Sequence, residues 1–150
     1  MLTRRTTLGL FAAAPLITLA PAAFAAEPPV YAEGGVAIDG SDAVAYFAEN
    51  GPVPGSAEFT HDWMGARWQF ASAANRDMFV ADPERYAPAF GGYCAYAASL
   101  GYLAPTVPEA WSVYEGRLYL NASLRARELW LGGLPDVIAA GEANWPGILG

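Results

Sequence analysis

The sequence predicts a small single α+β domain: two antiparallel β-hairpins packed with short helices, preceded by a cleaved signal peptide. Three observations carry this. Two stretches alternate apolar and polar residues around a glycine-containing turn. Several short runs are introduced by Ser or Asp and ended by Gly, the chemistry of capped helices. The first 25 residues set an uncharged, alanine-rich stretch behind a pair of arginines.

Residues 1–25 read as the signal. Met1 to Arg5 is short and basic, Leu8 to Ala26 carries no charge, and Ala23-Phe24-Ala25 has small residues at the spacing a signal peptidase reads. Pro15 and Pro21 interrupt the stretch, which argues against a stable membrane anchor. Arg4 and Arg5 within Thr3-Arg4-Arg5-Thr6-Thr7-Leu8 resemble a twin-arginine signal, with Thr7 where a bulky apolar residue is usual. The predicted location is therefore periplasmic or extracellular.

Residues 26–35, rich in Pro and Gly, form an extended lead-in to a domain over residues 36–148. Val36-Ala37-Ile38 is a short strand, and Ser41 or Asp42 caps a helix through Phe47. Glu58 to Trp63 puts Phe59, His61 and Trp63 on one face, Met64-Gly65 turns, and Ala66 to Ala71 puts Trp68 and Phe70 inward. Ser72 caps a helix to about Ala81, with Met78 and Phe79 as core contacts. Asp82-Pro83 starts a turn carrying Tyr86, Gly91-Gly92 breaks the chain, and Tyr93 to Leu100 is a short helix ended by Gly101. Trp111–Tyr114 and Arg117–Leu120 make the second hairpin around Glu115-Gly116. Ser123 caps a helix stopping at Gly132-Gly133, and Pro135 opens a last helix ended by Pro146.

The signal takes two of the eight basic residues, all arginine, and none of the fifteen acidic ones. The rest has six basic against fifteen acidic residues, a net charge of −9. An acidic surface without a basic patch argues against nucleic-acid and anionic-membrane partners.

Cys94 is the only cysteine, so no internal disulfide can form. Its thiol is a ligand, a reactive group or a small buried side chain. His61, the only histidine, is either a semi-buried histidine satisfied by one hydrogen bond or a base or ligand partner for Cys94. A Cys–His pair suits Cu(I) or Zn(II), with Met78 as an added soft ligand, but four Cys/His for a structural zinc site are lacking. Tyr93 and Tyr96 flank the thiol and are core aromatics or pocket walls over it, with Tyr46 grouped among the pocket residues. Gly91 and Gly92 permit a tight turn that would direct amides at the sulfur.

Several runs together resemble the YHS domain family: Tyr46-Phe47, Trp68-Gln69-Phe70-Ala71-Ser72, Asn75-Arg76-Asp77-Met78-Phe79, Asp82-Pro83-Glu84-Arg85-Tyr86, and Gly91-Gly92-Tyr93-Cys94-Ala95-Tyr96-Ala97. They are similar in particular to its exported bacterial branch, often labelled YHS domain-containing (seleno)protein. The resemblance runs from Val36 to Trp145. It implies metal handling, and it implies selenocysteine at the position of Cys94 in some relatives, hence nucleophilic, redox or soft-metal chemistry there. Metal-associated members carry cysteines at positions that here are Ala45, Ala71 and Asn75, so that ligand set is absent.

Three functions follow. The first is an exported module that handles a soft, copper-type metal ion through Cys94 with His61, passing it to or from a metal-handling partner. The second is a thiol-dependent redox enzyme at Cys94, regenerated by an external thiol or redox partner. The third is an interaction domain with a degenerate metal site. Binding is preferred to catalysis.

Overall fold

The structure, a computed structural model, describes residues 12–20 and 25–150. Arg4, Arg5 and Ala23 of the predicted signal lie outside the described residues. Among those described, no helix is long and apolar enough to cross a membrane.

The first alternating run folds as predicted. Strands β3 (Ser56–Trp63) and β4 (Ala66–Phe70) pair antiparallel, with His61 opposite Trp68 and Trp63 opposite Ala66. Met64 (φ 53°) and Gly65 (φ 77°) both take positive φ, as a two-residue hairpin turn of this hand requires. Trp68 and Phe70 are buried, the inward face that period-2 alternation gives.

This hairpin is half of a larger sheet. Two-residue strands β1 (Ala32–Glu33) and β2 (Val36–Ala37) extend it in the order β1-β2-β4-β3, and β2 runs parallel to β4 through Val36 and Arg67. The lead-in thus contributes a strand, and Val30 beside it is buried. Strands β5 (Trp111–Tyr114) and β6 (Arg117–Leu120) form the second sheet, an antiparallel pair.

The helices are short: α1 (Ala45–Ala48), α2 (Ala73–Ala81), α3 (Pro83–Tyr86), α4 (Ala95–Leu100), α5 (Leu124–Gly132) and α6 (Asp136–Asn144). Ser72 and Ser123 accept the N–H of Asn75 and Ala126, capping α2 and α5 as predicted. Gly101, at φ 90°, ends α4 in the left-handed region.

Met78 corrects the prediction, being 45% exposed where a core contact was expected. Only Phe79 of α2 is buried; Met78 is one residue, about 100° of helix, away from it. Two buried clusters result. One, around Trp68, Phe70 and Phe79, joins the four-stranded sheet to α1–α3; the other, around Phe90, Tyr119 and Trp130, joins the second sheet to α4–α6.

Candidate functional site

Cys94 is the N-cap of α4 and is only 2% exposed. Gly91 (φ 63°) and Gly92 (φ 85°) turn the chain into this position. A Cβ on Gly91 would lie 1.9 Å from the carbonyl oxygen of Pro29, so only glycine lets the lead-in pack there. The backbone N–H of Cys94 donates to Ala104 O at 3.0 Å.

The thiol sits in a polar socket. Sγ accepts N–H groups from Ala97 at 3.4 Å and Ala122 at 3.3 Å. The thiol donates toward Oδ1 of Asn121 at 3.5 Å. Ala97 is in the first turn of α4, and Ala122 lies between β6 and the Ser123 cap of α5. One amide from the first turn of α4 and one from the β6–α5 connection therefore point at the same sulfur, the arrangement that suits electron density on it. The expected amides of Gly91 and Gly92 are not the ones used.

Asn121, absent from the residues predicted for the site, holds the socket together. It is fully buried, and its Oδ1 also accepts the N–H of Tyr96 at 3.0 Å. Its main chain donates to Ala110 O and accepts from Val107. Its Nδ2 has no hydrogen-bond partner; Trp130 Nε1 is the other such buried donor among the described residues.

The other predicted residues are dispersed. His61 is not among the polar partners of Cys94; it sits on β3 with its ring edge-on to Phe79 at 6.2 Å. Met78 faces solvent on α2. Tyr96 reaches the socket through its backbone N–H, not its phenol. Tyr93 is buried, donates its hydroxyl to Pro28 O and packs on Tyr31 and Trp145. Tyr46 lies in the first cluster, donating to Pro108 O at 3.1 Å and Ser41 Oγ at 3.2 Å. Burial pushes its phenol up to about 12. Gly91 lines a cleft of about 450 Å³ together with Trp63, Trp68, Phe90 and Trp145. Ala25 is exposed. Among the described residues, no group of three or more His, Cys, Asp or Glu is placed to hold a metal ion.

A second polar centre lies at Asp42, which is fully buried. Its Oδ1 accepts the N–H of Val44 (2.9 Å) and Ala45 (3.1 Å), and its Oδ2 accepts the N–H of Ala71 (2.9 Å) and Nδ2 of Asn75 (2.8 Å). Ala45, Ala71 and Asn75 thus converge on one carboxylate, whose hydrogen bonds tie the start of α1 to the β4–α2 junction.

The family model of the YHS domain matches residues 44–90, and the chain carries a YHS domain over that stretch. The match takes in the first hairpin with α1–α3 and ends short of Cys94. Neither the curated proteins nor the solved structures contain a match to the chain.

Proposed function

We propose that this chain is an exported, thiol-centred member of the metal-handling YHS class, acting in the periplasm or outside the cell, with Cys94 Sγ as the atom that takes a soft ligand. A copper-type ion is the ligand class. The single observation that carries the reading is the pair of N–H groups from Ala97 and Ala122 directed at Sγ. A cysteine must lose its proton to ligate a metal. Donors already aimed at the sulfur then stabilise the charge left on it, as they do for metal-bound thiolates. With cysteines absent from positions 45, 71 and 75, the one thiolate donor available to this chain is Cys94. His61 remains the proposed second ligand, reached only if β3 or α4 moves, because it is not a polar partner of Sγ in this conformation.

The 2% exposure of Cys94 favours a second reading. In it the chain is an interaction module whose metal site has been replaced by the Asp42 centre, and Cys94 serves as a helix cap.

A competition titration of Cu(I) against a chelator, on the reduced protein and on Cys94→Ser and His61→Ala, tests the first reading. One-to-one binding lost in Cys94→Ser supports it, and a parallel loss in His61→Ala assigns the second ligand. Binding retained in Cys94→Ser, or no binding at all, overturns it and leaves the second.

A further inference from the structure

We propose that Cys94 is oxidised by small hydroperoxides to a sulfenic acid, and that Asn121 is the positioning residue for this step. The inference rests on Cys94 being the working atom but requires no metal.

Two independent observations support it. The first is the socket itself, with two N–H groups donated to Sγ. The second is the unpartnered, fully buried Nδ2 of Asn121. The amide's orientation is fixed, because Oδ1 accepts the Tyr96 N–H at 3.0 Å and a nitrogen there would set donor against donor. The NH₂ group is therefore held in its unsatisfied place, on the same amide whose oxygen lies 3.5 Å from Sγ. A buried donor without an acceptor is costly, and native proteins rarely keep one. An oxygen atom bonded to Sγ would give this donor an acceptor.

Sγ attacks one oxygen of the hydroperoxide; the S–O bond forms as the O–O bond breaks. The bonding pair goes to the leaving oxygen, which takes the thiol proton and departs as water or an alcohol. Sulfur is oxidised by two electrons and the peroxide is reduced by two. As the new S–O bond polarises, Nδ2–H of Asn121 donates to its oxygen, an interaction that the thiol itself does not offer. Cys94 is only 2% exposed, so the peroxide, the resolving thiol and the trapping reagents alike reach Sγ through local opening of the socket. No second cysteine is present to resolve the product. Two equivalents of a small external thiol do so: the first displaces water to give a mixed disulfide, and the second restores Cys94 and leaves as a disulfide.

The test compares two rates at Cys94 in the reduced protein. One is oxidation by hydrogen peroxide, trapped with dimedone and read by intact mass; the other is alkylation by iodoacetamide. Asn121→Asp keeps the acceptor for Tyr96 N–H and removes the donor; Asn121→Ala removes both. Cys94→Ser is the blank. We expect wild-type oxidation to be faster than in the urea-unfolded chain. We expect the ratio of oxidation to alkylation to fall by about tenfold or more in both Asn121 variants, as loss of one oxyanion donor does elsewhere. Simple loosening of the fold would raise both rates together and leave the ratio unchanged. An unchanged ratio in both variants overturns the proposal, as does wild-type oxidation no faster than in the unfolded chain. Peroxide chemistry without copper binding would leave this inference standing and remove the metal reading; copper binding without peroxide chemistry would do the reverse.

Discussion

Removing the Asp42 carboxylate should unfold this domain more readily than any other single polar deletion. The side chain is fully buried and accepts four hydrogen bonds, two from the start of α1 and two from the β4–α2 junction. Asp42→Ala leaves all four donors without their acceptor. Loss of the helix cap alone costs about 1 kcal/mol. Each remaining buried donor costs about 1–3 kcal/mol, less where water enters the vacated volume. Because the four share one acceptor, the costs do not add fully, and about 3–5 kcal/mol is expected. A domain of this size has only about 5–15 kcal/mol to lose. At roughly 3–5 °C per kcal/mol, the midpoint should fall by about 10–20 °C. Asp42→Asn keeps one oxygen but turns an NH₂ toward either the α1 or the Ala71–Asn75 donors, and should lie between. Thermal and urea denaturation followed by circular dichroism measure both. A midpoint for Asp42→Ala within about 4 °C of wild type, roughly 1 kcal/mol, would refute the claim that this carboxylate ties α1 to the β4–α2 junction.

Three further outcomes follow from the same contacts. Cys94→Ala should cost about 1–3 kcal/mol in urea denaturation, through the lost cap and the orphaned N–H of Ala122, while Cys94→Ser should stay within about 1 kcal/mol of wild type. Gly91→Ala should detach the lead-in, since its Cβ would collide with Pro29 O in a left-handed backbone; limited proteolysis should then cut within residues 27–31 faster than it does in the wild type. Tyr46 predicts an alkaline transition. Its phenol is pushed from 10.0 up to about 12, mainly by burial, so the fold favours the neutral form. That stability is complete below pH 10 and is lost as pH rises toward 12, by roughly 2–3 kcal/mol. Urea denaturation of Tyr46→Phe should show a smaller loss across this window; an equal loss would assign the transition to other tyrosines, such as Tyr31.

Much of the fold was legible because its signals are local. The alternation around Met64-Gly65 and Glu115-Gly116, and the caps Ser72, Ser123 and Gly101, act within a few residues of themselves. The parallel pairing of β2 with β4 was not legible, because two-residue strands have no periodicity to read. The site was legible only in part. Cys94 stands out by being unique, but Asn121 lies 27 residues away, and no local pattern links them. Its position at the end of β6, just before the Ala122-Ser123 start of α5, was the available clue. Asp42 was readable as a cap for α1, but its bonds to Ala71 and Asn75, 29 and 33 residues on, were not. Alternation placed His61 correctly on the Phe79 side of β3; proximity to Cys94 was a tertiary question that alternation does not address.

The most direct measurement is the near-ultraviolet sulfur-to-copper charge-transfer absorption on adding one equivalent of Cu(I) to the reduced protein, repeated in Cys94→Ser. The account predicts a band that saturates at one equivalent in wild type and is absent from the folded Cys94→Ser variant. A band of equal strength in Cys94→Ser, or its absence from wild type, would contradict the claim that this sulfur is where the protein takes its ligand.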